Sequence, residues 1–235
     1  MAKIAVDAVL LPSDEMMDKA IEANRELLKQ CAGFPPILAR PSRDKQGGVP
    51  DKIVLDKENC LPHISLAMGC IDEEIVADIE KVLQTIAKGP RFAGTKQYSL
   101  EQLSVIDIHV GTNSAGEKVS VFRIERTKRL QLLHEEIMLR LAPYFSYDVT
   151  ADMIFSPPKA GESTLLWIKN YPDKSSFENF FPHITIGYGE ISDYSFGSRK
   201  AGSLPIKFTA SKLALCHLGN HCTCRRILAS AELKS

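Results

Sequence analysis

The sequence predicts a mixed α and β protein built from two related units, and three observations carry the prediction. Short apolar, β-branched runs alternate with stretches whose apolar residues recur at helical spacing. The order strand, helix, loop, His-bearing strand runs through residues 3–69 and again through 119–189. Finally, Pro62-His63-Ile64-Ser65-Leu66-Ala67-Met68-Gly69 aligns without a gap on Pro182-His183-Ile184-Thr185-Ile186-Gly187-Tyr188-Gly189. The first strands of the units are offset by about 115 residues, the helices by about 114 and the histidines by 120.

Taken in order, Lys3 to Pro12 is short, apolar and β-branched, which predicts a strand. Ser13 then N-caps a helix from about Asp14 to Gln30, acidic in its first turn and apolar along Ile21, Leu27 and Leu28. Residues 31–51 hold four prolines and three glycines and predict a long loop. A strand over Leu61 to Gly69 follows, then a helix from about Glu73 to Lys88 that stops at Gly89-Pro90. The charges of that helix predict a solvated face. Residues 91–124 are strand-like with turns, including Asn113 to Gly116, and a helix follows from about Lys128 to Pro143. Residues 156–180 are rich in Pro, Ser, Lys and Asp and predict a second long loop. Phe181 to Gly189 is a strand. Leu213 to Leu218 and His221 to Ala229 predict a closing hairpin around a two-residue Gly219-Asn220 turn.

The 235 residues suffice for a sizeable core, as one domain over 1–235 with pseudo-repeat units at about 1–90 and 115–190 and the closing hairpin at 212–230. Lys plus Arg and Asp plus Glu are both 29. That balance argues against a sequence-independent nucleic-acid binder, which needs a basic surface to release counterions. No stretch approaches the roughly 20 apolar residues of a membrane span, and the N-terminus lacks a signal-peptide pattern. The expectation is a cytoplasmic protein with no membrane partner. Six cysteines are too few for a disulfide scaffold, so most are expected to be reduced and buried.

The repeated octapeptide carries the chemistry. Side chains alternate along a strand, so His63, Ser65 and Ala67 share one face, and Ile64, Leu66 and Met68 the other. His183, Thr185 and Gly187 separate in the same way from Ile184, Ile186 and Tyr188. Imidazole titrates near neutrality, so one ring takes a proton while the other gives one. A hydroxyl beside each ring donates to a non-bridging phosphate oxygen. Two copies across a cleft give one phosphorus both partners, with no metal or cofactor required.

His63-x-Ser65 and His183-x-Thr185, about 120 residues apart and flanked by apolar residues, resemble the paired motifs of the 2H phosphoesterase superfamily. That superfamily includes the 2′-5′ RNA ligase-like proteins and cyclic phosphodiesterases. The resemblance covers both motif strands, the helix before each and the closing hairpin. It implies an α+β bilobal duplicated fold of two pseudo-symmetric lobes, with antiparallel sheets lining a central cleft and helices outside. It also implies hydrolysis or transesterification of a cyclic, 2′-5′ or 3′-5′ nucleotide phosphodiester. His63 and His183 would be catalytic, Ser65 and Thr185 would bind the phosphoryl group, and the partner would be a nucleotide or oligonucleotide. The rival readings are a module that binds a nucleotide or RNA end without turnover, and a zinc-stabilised domain.

The zinc reading rests on Cys216, His217, His221, Cys222 and Cys224. Hairpin pairing brings at most three of them together, short of the four a structural zinc takes. His109 and His134 have no partner motif and predict surface or packing roles. Trp167 and Phe155 are candidates for base stacking. Tyr188 falls on the core face by alternation unless the strand breaks at Gly187 or Gly189.

Overall fold

The computed structural model describes residues 2–32, 52–88, 102–113, 116–156, 160–191 and 204–233. The loop expected at 31–51 lies outside these from residue 33 onward, as do residues 91–101 of the strand-like stretch and 157–159 of the second expected loop.

Eight strands and four α-helices are present among the described residues. In chain order they are β1 (Lys3–Pro12), α1 (Asp14–Ala32), β2 (Ile64–Asp72), α2 (Val76–Ala87), β3 (Leu103–Thr112), β4 (Lys118–Ile124), α3 (Lys128–Leu141), α4 (Glu162–Lys174), β5 (His183–Tyr188), β6 (Ile206–Phe208), β7 (Ala210–Leu218) and β8 (Cys224–Glu232). They form two four-stranded antiparallel sheets, β2-β1-β7-β8 and β5-β4-β3-β6. The fold is α+β, with each motif strand beside the first strand of its own unit. The C-terminal hairpin β7–β8 completes the first sheet by pairing with β1.

Central β1 is covered on both faces, which explains its near-continuous apolar run. Its one interior acid, Asp7, is wholly buried. The helices cross over: α1 packs against β5 of the second sheet, while α3 and α4 pack against β2 of the first. Thr127 caps α3, its hydroxyl accepting from the Leu130 amide at 3.2 Å. The charge-rich stretch begins as a 3₁₀ turn (Glu73–Ile75) before α2, whose Ile79, Leu83, Ile86 and Ala87 are buried while its charged face meets solvent.

Two expectations fail. The stretch 156–180 is not all loop, because α4 occupies Glu162–Lys174. Thr164, Ile168 and Tyr171 are its buried stripe, at helical spacing, and the interior Pro172 and polar composition masked it. The hairpin turn is also longer than two residues. Leu218 pairs with Cys224 and His217 with Arg226, so residues 219–223 make the connection. His221 and Cys222 take left-handed backbone angles there, with φ of 59° and 55°. Asn220 holds the loop by accepting from the Gly161 amide and the Thr164 hydroxyl.

Candidate active site

Both motif strands carry a β-bulge at the same place. On β2, Val9 pairs with Ser65 but Ala8 pairs with Ala67, so Leu66 is the extra residue. On β5, Val121 pairs with Thr185 but Ser120 pairs with Gly187, so Ile186 is extra. A bulge puts two residues opposite one and re-aims those beyond it. Gly187, at φ +153°, supplies the backbone freedom on β5, and a Cβ there would lie 3.1 Å from Asn24 Nδ2.

The bulge overturns the expected alternation. Tyr188 pairs with Val119 and Thr185 with Val121, and Val119 and Val121 share a face. Tyr188 therefore joins Thr185 and His183 on the cleft side rather than the core side, and Met68 likewise joins Ser65 and His63. These six side chains line one cavity of about 410 Å³. The structure thus brings His63, His183, Ser65 and Thr185 to one site.

A buried polar side chain holds each bulge, and it comes from the helix of the other unit. Asn24 of α1 donates to the Ile186 and Ile53 carbonyls at 2.8 and 2.9 Å and accepts from the Leu55 amide at 3.0 Å. His134 of α3 donates through Nδ1 to the Leu66 carbonyl at 2.7 Å and accepts at Nε2 from the Phe177 amide at 2.8 Å. Its ring stacks on Phe180 at 4.0 Å. His134 is therefore a packing residue, as expected.

The two motif histidines are anchored alike. His63 Nδ1 donates to the Leu61 carbonyl and His183 Nδ1 to the Phe181 carbonyl, each at 2.7 Å. A carbonyl only accepts, so Nδ1 carries the proton and Nε2 is the atom that titrates. Burial lowers both pKa values. That of His63 falls to about 4, with the proximity of His183 adding to the effect. His183 is lowered by burial and then by His109.

Several wall residues escaped the sequence reading. His109, expected at the surface or in packing, lines the cavity and meets the Phe181 ring edge-on at 5.5 Å. Its signal was register, since it lies opposite Val121, which lies opposite Thr185. Tyr188 Oη hydrogen-bonds His221 Nδ1 at 2.9 Å, linking β5 to the β7–β8 connection. Trp167 of α4 lines the cavity and is half exposed, whereas Phe155 packs edge-on against His217 outside it. Asp7 Oδ2 lies 3.9 Å from His63 Nε2. The only signal for Asp7 was a lone acid inside an apolar run.

The cysteine and histidine cluster disperses. Cys216 and Cys224 are disulfide-bonded across β7–β8, whereas the other four of the six cysteines, Cys31, Cys60, Cys70 and Cys222, are free. His217 Nε2 donates to the Met153 carbonyl, and His221 faces the cavity. Among the described residues no group of three or more His, Cys, Asp or Glu is placed to hold a metal ion, and no helix is long and apolar enough to cross a membrane.

Neither family models nor characterised proteins give a match to this chain. Among solved structures, the crystal structure of E. coli LigT in its apo form is similar over 100% of both chains, at 13% sequence identity and a TM-score of 0.45.

Proposed function

We propose that this protein is a phosphodiesterase that cleaves a cyclic or internucleotide phosphodiester with His63 and His183 as its acid/base pair. One observation carries the reading: two histidines from repeated motifs enter one cavity with Nδ1 tied to a carbonyl, Nε2 left to titrate, and a hydroxyl beside each. One imidazole takes a proton from the attacking oxygen while the other gives one to the leaving oxygen. Ser65 and Thr185 donate to the phosphoryl oxygens as charge builds. Side chains handle both protons, so this division of labour calls on no metal. A cavity of about 410 Å³ has room for a nucleotide end, and Trp167 and Phe181 offer ring faces to a base.

The test is a panel of 2′,3′-cyclic nucleotides, 2′-5′ oligonucleotides and cyclic dinucleotides, assayed with and without excess chelator. Turnover of at least one class should survive chelation and fall about 10²–10⁴-fold in His63→Ala or His183→Ala. The double variant should be little worse than either single one, because the two act as a unit. Binding without turnover would favour a nucleotide-binding module instead. Chelator-sensitive turnover restored by zinc or manganese would refute the metal-free mechanism.

A further inference from the structure

The two halves of the site differ at several positions, and at one of them an acid is buried. Asp7 on β1 pairs with Met68, and Val119 on β4 pairs with Tyr188, so Asp7 and Val119 are pseudo-equivalent. One half therefore buries an acid where the other has a valine. Asp7 is wholly inaccessible, and its carboxyl oxygens have only near contacts, short of full hydrogen-bonding geometry, that lower its pKa less than burial raises it. The Ser65 hydroxyl and the Leu66 and Ala67 amides face it from β2. Tyr171 of α4 and Cys222 of the β7–β8 connection face it as well, and Cys216 lies opposite on β7, locked in its disulfide. Burial and then the Asp7 charge push the Cys222 thiol up, and burial keeps the Tyr171 phenol well above its ordinary range, so both stay neutral near pH 7. Among the described groups acting on Asp7 there is no lysine or arginine. The basic atom beside it is His63 Nε2, at 3.9 Å. A shift of about 1 Å makes that contact a hydrogen bond.

An unpaired buried carboxylate is costly, so a carboxyl in this place keeps its proton or gives it to a neighbour that then pairs with it. We infer that Asp7 is the proton store of His63: when an anionic phosphoryl group enters the cleft, Asp7 hands its proton to His63 Nε2, which makes His63 the general acid and leaves His183 the general base. The inference rests on the phosphodiesterase reading for its chemical step. There, water loses a proton to His183 Nε2 as its oxygen bonds to phosphorus. The bond from phosphorus to the leaving oxygen breaks, and that oxygen takes the proton from His63 Nε2. Asp7 is left as a carboxylate until the proton on His183 returns through solvent to the Asp7–His63 pair. Burial supports the scheme by raising the Asp7 carboxyl to about 8 while lowering His63 to about 4, so the pair holds one proton between those values. Asp7 touches no substrate in this scheme and is a positioning residue.

The experiment is a pH titration of the ligand-free protein by NMR, reading the His63 ring ¹⁵N and the Asp7 carboxyl ¹³C signals, in the wild type and in Asp7→Asn. In the wild type both residues should inflect at the same two pH values, and in Asp7→Asn the upper His63 inflection should vanish while His183 is unchanged. A single, identical His63 inflection in both proteins overturns the inference. If Asp7→Asn does not fold, the wild type decides alone, since independent inflections of the two signals overturn it equally. The kinetic counterpart is a fall in kcat of about 10–100-fold at pH 7 with KM unchanged, recovered as pH drops. A protein inert toward every diester would sink the phosphodiesterase reading, yet the titration would still report whether the two residues share a proton.

Discussion

The strand pairs β1–β2 and β4–β5 have the same pairing, the same bulge and the same anchored histidine, but different neighbours. On β1–β2 the cleft face holds Met68 beside Asp7 and Ser65 beside Val9, and Cys216 and Ala214 extend these rows on β7. On β4–β5 it holds Tyr188 beside Val119 and Thr185 beside Val121, and Gly111 and His109 extend them on β3. His63 thus has a carboxyl for a neighbour, whereas His183 has a second imidazole that disfavours its protonation. The repeat supplies two similarly anchored imidazoles. Their surroundings differ, and on the proposed mechanism such a difference is what would separate an acid from a base.

The largest effect that would break this comparison comes from changing the leaving group. If His63 is the acid, a nitrophenyl phosphodiester, whose leaving oxygen departs without a proton, should rescue His63→Ala. The same substrate should leave His183→Ala impaired by about 10²–10⁴-fold, because its attacking water still needs a base. The measurement is the ratio of kcat/KM for nitrophenyl and nucleotide diesters in each variant. Equal rescue of both, or rescue of His183→Ala alone, would reverse or abolish the assignment.

A smaller effect should appear in stability, where the two units hold each other. Asn24→Ala would leave the Ile186 and Ile53 carbonyls and the Leu55 amide without that side chain, all around the His183 motif. His134→Ala would strip the Leu66 carbonyl and the Phe177 amide, beside the His63 motif. Each should cost about 2–4 kcal/mol, since buried polar groups lose partners that water does not replace. For a chain of this size that corresponds to roughly 5–15 °C in melting temperature. Melting curves unchanged within about 1 °C would show that the bulges hold without these side chains.

What was legible in the sequence follows from what is local. The octapeptide repeat put His63 with Ser65 and His183 with Thr185 on shared faces, and all four line one cavity, because a strand fixes which side chains share a face over three residues. It misplaced Met68 and Tyr188, because a bulge is set by pairing with another strand and leaves little trace in its own residues. Helices 14–30, 73–88 and 128–143 showed clear periodicity, while α4 did not, with Pro172 inside it and only three buried side chains. The hairpin was found but its turn was misjudged, since left-handed His221 and Cys222 are uncommon outside glycine and asparagine. Asp7 and His109 were invisible as neighbours of the histidines, and Asn24 as the support of the β5 bulge, because only the tertiary fold brings them there.

The smallest predicted effect is a slope in stability against pH, and it belongs to one strand pair. The Asp7 carboxyl is raised from 3.8 to about 8 in the folded protein, so the folded state binds the extra proton between those values. Its contribution is full below pH 3.8 and is lost as pH rises through 8. His63 is lowered from 6.5 to about 4, so the unfolded state binds the extra proton there and stability rises with pH over that interval. His134 and His183, lowered chiefly by burial, act in the same sense as His63 below 6.5. The opposing slopes offset one another in acid, but between pH 6.5 and 8 Asp7 acts without them. Stability should therefore fall across that window by up to about 1.4 kcal/mol per pH unit. Urea unfolding at pH 6.5, 7.25 and 8 measures it. In Asp7→Asn the curve should be flat, since Asn, like the Val119 of the other strand pair, carries no proton to lose. A wild type equally stable at all three pH values would mean that Asp7 reaches water or a cation on ionising, and its environment would then no longer differ from that of an ordinary surface acid.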